Sequence, residues 1–121
     1  MKKLFNIVLV SSLALLCFSC YYDEFLKEEE IIIDPGEEVS FANDIIPIFI
    51  SYDCARCHDG NQNPDLRLGN EYSSLVPDYV TANNADNSKL YKKLAIDNHK
   101  DVDATSLAFI KEWINRGAEN N

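Results

Sequence analysis

Residues 54–58 read Cys54-Ala55-Arg56-Cys57-His58, and Asp59-Gly60 follow at once. Half of the chain's four cysteines and one of its two histidines fall within these five positions. A metal cage, a disulfide, a catalytic thiol and a covalently held haem all draw on these residue types. Each predicts a different molecule around them, so the rest of the sequence has to choose.

The N-terminal segment bears on the compartment. Lys2 and Lys3 precede an apolar run over residues 4–16, softened by Asn6, Ser11 and Ser12, and Ser19-Cys20 closes it. This is the pattern of an export signal, residues 1–19, with an apolar stretch short for a membrane span. The small residue before Cys20 resembles the lipid-attachment box of bacterial lipoproteins, in which the cysteine is lipidated and becomes the mature N-terminus. That resemblance implies a protein anchored by lipid to the bacterial outer membrane through Cys20, facing the periplasm or the cell surface. Cys17 and Phe18 depart from the usual box, and Cys17 follows Leu16, which is not small. Ordinary cleavage nearby, leaving Cys20 as a free thiol, is the alternative.

The full chain of 121 residues carries a net charge of −9. Loss of residues 1–19 removes two lysines and no acids, leaving nine bases against twenty acids, a charge of −11. Such a surface repels phosphate, which argues against a nucleic-acid partner. About 100 mature residues make one small domain with a limited core.

Residues 21–38, YYDEFLKEEEIIIDPGEE, hold eight acids against one base. A block this charged repels itself and predicts a solvated tether over residues 20–39 between the lipid and a domain at 40–121. It also resembles the acidic signals that follow the lipidated cysteine in some surface lipoproteins. Ile31-Ile32-Ile33 allow a second reading, a short strand or an apolar patch on the domain.

Beyond residue 40 the pattern is helical. Phe41, Ile45, Ile48, Phe49 and Tyr52 recur at three- and four-residue intervals. Pro47 is tolerated if Asp44 caps the helix, because Pro then falls in the first turn. The helix is expected to run from residue 45 into the cysteine motif. The turn formers DGNQNPDLR, residues 59–67, predict a loop. Residues 71–76 and 88–95 read as two short helices. Leu107, Ile110, Trp113 and Ile114 mark the last, with Asp103 or Thr105 at its start and Gly117 past its end. No alternating run is long enough for a sheet, so the fold class is all-α. Roughly 80 ordered residues in short helices and long polar loops sit near zero net stability. Something apolar and rigid is missing from the middle.

Residues i and i+3 of one helical turn face the same way, and i+4 projects beside them. C-x-x-C-H therefore presents two thiols to the two vinyl groups of a haem and a histidine to its iron, which is the attachment pattern of haem c. Cys54, Cys57 and His58 are the cofactor-binding candidates. The competing uses are weaker. A bridge between Cys54 and Cys57 closes almost no loop. A structural zinc wants four well-spaced ligands, and Cys54, Cys57 and His99 supply at most three. A redox dithiol expects a strand–helix setting, and a Cys/His nucleophile needs an oxyanion site that is not apparent here.

The stretch VSFANDIIPIFISYDCARCHDG, with D-I-x-P-I-F ahead of the cysteines, resembles the opening of short class I cytochromes c. The resemblance continues through LRLGNEYSSLV and SKLYKKL to IKEWINRGAENN, covering residues 40–120. It implies a cytochrome c-like fold in which the terminal helices cross, with Ile45, Phe49, Ile110 and Trp113 at the contact. It also implies an electron carrier rather than an enzyme.

Such cytochromes usually bring a methionine to the far side of the iron, and this chain departs from them. Its one methionine is Met1, and Val102 stands roughly where the ligand is expected. His99 is the candidate replacement as a metal ligand, giving a lower potential than His/Met; the alternative is a loop histidine that hydrogen-bonds a propionate or sits in solvent. Lys100 must lose a proton to bind, and an open sixth position would make a module that binds or senses small gaseous ligands. Pro64 is expected to orient His58 through its carbonyl. Arg67, Lys92 and Lys93 either offset the haem propionates or form a solvated face, and Tyr91 and Trp113 either line or back the haem or serve the ordinary core. An acidic carrier should favour redox partners with basic patches.

Overall fold

Apolar residues at helical spacing, punctuated by turn formers, fold into short helices with no β-strand among the described residues. The structure, a computed structural model, describes residues 1–3 and 31–121. The apolar part of the expected export signal, Cys17, the lipidation candidate Cys20 and the first part of the acidic block lie outside the described residues. A π-helical turn, Phe41–Ile45, leads into α1 (Ile46–Ser51), followed by a 3-10 turn at Cys54–Arg56. Then come α2 (Glu71–Leu75), a second 3-10 turn at Ala85–Asn87, α3 (Lys89–Ala95) and α4 (Ala104–Asn115). No helix among the described residues is long and apolar enough to cross a membrane.

Pro47 sits in the first turn of α1, where its missing N–H leaves nothing unpaired. The cap, however, is Ser40 and not Asp44. Ser40 Oγ accepts from the Asn43 N–H at 3.2 Å, and the Asp44 carboxylate reaches back to the Ser40 N–H at 2.7 Å. This is the reciprocal logic of a capping box. The entry turn widens to i→i+5 bonds, Ile45 and Ile46 donating to the carbonyls of Ser40 and Phe41. One extra residue per turn places the proline two positions into α1 instead of deep inside a longer helix.

The expected helix into the cysteine motif is interrupted. Asp53 adopts a left-handed conformation (φ 51°), which Asp tolerates better than most residues. Consequently α1 ends at Ser51, and the motif begins a fresh turn.

The last helix follows its sequence signals closely. Asp103 caps it, accepting from the Ser106 N–H at 2.9 Å. At the other end the Gly117 N–H bonds the Ile114 carbonyl and the Ala118 N–H bonds the Trp113 carbonyl, the paired arrangement of a Schellman stop. Gly117 takes φ 110°, which a side chain would resist.

Ile45, Leu75, Ile110, Trp113 and Ile114 form the most deeply buried part of the core. The first and last helical segments meet through the π-turn: Phe41 lies 5.0 Å from Trp113 and 5.3 Å, edge-on, from Tyr72. Phe41, not Phe49, thus makes the aromatic contact with α4. Trp113 Nε1 donates to the Glu119 carbonyl at 2.9 Å, so its one polar atom is satisfied.

The end of the acidic block belongs to the folded body. Val39 is buried, Ile33 packs against the core, and the Arg116 guanidinium donates to the carbonyls of Asp34 (3.0 Å) and Glu37. Charge pattern alone places the boundary at 39/40; the contacts of Arg116 with residues 79 and 82 positions earlier bring the chain from about residue 33 onto the folded body.

Candidate functional site

The 3-10 turn Cys54–Arg56 is closed by Cys57 and His58, whose N–H groups both donate to the Cys54 carbonyl (3.3 and 3.1 Å). Positions i, i+3 and i+4 are thereby gathered on one turn. All three side chains line a cleft of about 290 Å³. Its walls are mainly apolar: Ile48 and Phe49 from α1, Leu66 from the following loop, Leu90 and Leu94 from α3, and Val102 from the loop before α4. The short helices leave this apolar space between them instead of closing on one another.

The loop after the motif is pinned at several points. The His58 carbonyl accepts from the Leu66 N–H at 2.9 Å, and Ser74 Oγ accepts from the Asp65 N–H at 2.6 Å. These bonds bring buried Pro64 under the histidine, where its carbonyl lies 3.0 Å from His58 Nδ1. Nδ1 then carries the proton, and Nε2 keeps its lone pair for a metal. The orienting role expected for Pro64 is the arrangement found.

His99 faces His58 across the cleft, with ring centroids 6.1 Å apart and an interplanar angle of 69°. Its backbone follows directly from α3, the His99 N–H donating to the Lys93 carbonyl at 3.1 Å. The far end of this loop is tied to α1: the Asp103 N–H donates to the Tyr52 hydroxyl at 2.9 Å, and that hydroxyl donates to the Asp103 carboxylate. Tyr52, with the two Ser106 donors, holds the Asp103 carboxyl down at about 2.

The thiols are unbridged, Cys54 partly buried and Cys57 exposed. Burial pushes the Cys54 thiol up from its ordinary value, with nearby Lys100 pulling against it. A thiol raised in this way is a weaker nucleophile at neutral pH. Among the described residues no three of His, Cys, Asp and Glu converge closely enough to hold a metal ion.

Other expected positions need correction. Trp113 is consumed by the core against Phe41, and Tyr91 lies on a second groove beneath Lys111; neither lines the cleft. Tyr52 and Tyr79 occupy that role. Arg67 is bound bidentately to Asp65 (3.0 and 2.7 Å), and its guanidinium covers Gly60. Lys93 does reach the cleft, joined there by Lys89 and Lys100, whereas Lys92 does not. Lys89 was legible in sequence only as one face of a helix, because the partner loop that completes the cleft is distant in the chain.

No family model matches this chain, and neither a curated protein nor a solved structure is similar to it by the same kind of comparison.

Proposed function

We propose that this protein is a c-type cytochrome-like electron carrier with a cytochrome c-like fold, holding one haem c through thioether links to Cys54 and Cys57. The observation that carries the reading is the convergence of both thiols and a pre-oriented imidazole on one helical turn at an apolar cleft. The donor set suits the group: two sulfurs at i and i+3 for the vinyls, and a histidine whose Nδ1 is committed to Pro64 for the iron. Bound there, the haem supplies one-electron redox chemistry.

The chain's own residues then have definite tasks. The Pro64 carbonyl fixes the tautomer and orientation of His58 and raises its basicity. Ile48, Phe49, Leu66, Leu90, Leu94 and Val102 exclude water from the cleft. Lys89 and Lys100, with Lys93 shared with the Asp97 carboxylate at 3.1 Å, offer positive charge for propionates in an otherwise acidic molecule. The reading includes export and anchoring by a lipid at Cys20, with the protein facing the periplasm or cell surface, and a redox partner with a basic patch.

The test is maturation in a host competent for haem attachment, followed by denaturing extraction, mass measurement and a visible spectrum. The expected product is red, gains the mass of one haem and keeps it through extraction. Cys54→Ala with Cys57→Ala should abolish the covalent link. A colourless wild-type protein with both sulfurs free or bridged would overturn the proposal.

A further inference from the structure

We infer that His99 is the second axial ligand of the iron, so that the site is a closed bis-histidine centre rather than one open to small ligands. The inference rests on the haem reading above and adds the identity of the sixth ligand to it. Among the described residues only two histidines exist, and they stand on opposite walls of one cleft, 6.1 Å between ring centroids. An iron shared between two imidazoles requires two metal–nitrogen bonds of about 2 Å and a ring radius of about 1 Å at each end, or about 6 Å in all. The separation leaves room for one metal ion between the two rings, whose planes stand at 69° to one another.

The loop holding His99 is built to keep that spacing. Its start is bonded to the end of α3 at Lys93, and its end is bonded to Tyr52 near the start of the cysteine motif. The two anchors connect the His99 loop to both walls of the cleft. Asn98 takes the left-handed conformation (φ 46°) that turns the chain just before His99. Neighbouring side chains do not compete well: Val102 has no donor atom, and Lys100 is an ammonium that must shed a proton first. Bis-histidine ligation lowers the potential relative to a His/Met centre and fills the position a diatomic ligand would need.

The test compares visible and spin-state spectra of the matured wild type, His99→Ala, His99→Met and Lys100→Ala. His99 is exposed and Lys100 likewise, so neither change removes core packing. Wild type and Lys100→Ala should be low-spin and indifferent to carbon monoxide. His99→Ala should be high-spin and bind carbon monoxide, and added imidazole should return it to the low-spin form. His99→Met should be low-spin with a raised potential. A His99→Ala spectrum unchanged from wild type, a high-spin wild type, or loss of the low-spin form in Lys100→Ala would each overturn the assignment while the protein stayed red. Absence of haem altogether would instead strike the reading on which it rests.

Discussion

Asp103 shows how one side chain can serve both stability and the site. It caps α4, receives the Tyr52 hydroxyl, and closes the loop that holds His99. Its carboxyl sits at about 2, below the ordinary value near ~3.9. A depressed carboxyl stabilises the fold fully above the unfolded value, and this contribution drains away as pH falls from ~4 through about 2. Asp103→Ala should cost about 1 kcal/mol at neutral pH, the usual penalty for losing such a cap. In urea unfolding measured at pH 7 and again near pH 2.5, the gap between wild type and variant should narrow in acid. Asp103 as a cap was legible from its place ahead of an apolar-periodic run. Its bond to Tyr52 was not, because local sequence carries no signal for a partner 51 residues away.

At the scale of elements, the helices at 71–75, 89–95 and 104–115 lie close to where periodicity and punctuation place them. The first segment does not, and the cause is physical: a proline near the front of an apolar run can be accommodated by capping later or by widening the turn. The chain widens the turn and caps at Ser40. The break at Asp53 is not legible in the sequence, because a left-handed residue other than glycine leaves little trace in composition. Where glycine is used for the same purpose, it is readable, as at Gly117. Gly117→Ala sets the new methyl at ordinary contact distance from Asn83 (3.9 Å) and Glu119 (4.0 Å) but must hold φ 110°, so the loss should be conformational, about 1–2 kcal/mol. A lowered thermal midpoint with an unaltered haem spectrum is the expected result; a spectral change would link the stop of α4 to the site.

At the scale of the whole molecule, the missing centre anticipated from composition is a cleft between α1, α3 and the loops at 59–67 and 96–103. The cysteine motif and its histidine were plain in sequence; the walls were not, since they come from segments far apart in the chain. An unfilled apolar cleft leaves its lining residues with fewer neighbours and in contact with water. The chain without haem should therefore unfold at a clearly lower temperature and with a broader calorimetric transition than the matured protein. Charge acts over a longer range. With −9 over the full chain, encounter with a basic partner should slow markedly between ~10 mM and ~150 mM salt, as the Debye length shrinks from ~30 to ~8 Å. Stopped-flow measurement of reduction by such a partner checks this, and a rate indifferent to salt would remove steering from the account.

The clasp of Arg116 on the carbonyls of Asp34 and Glu37 has a mechanical consequence. Were the chain held by a lipid at Cys20 as proposed, a pull along its N-terminal segment would be taken up at the foot of α4, on the backbone ahead of residue 40. The walls around the two imidazoles come later in the chain than this clasp, so such a pull would meet the clasp before it reached them.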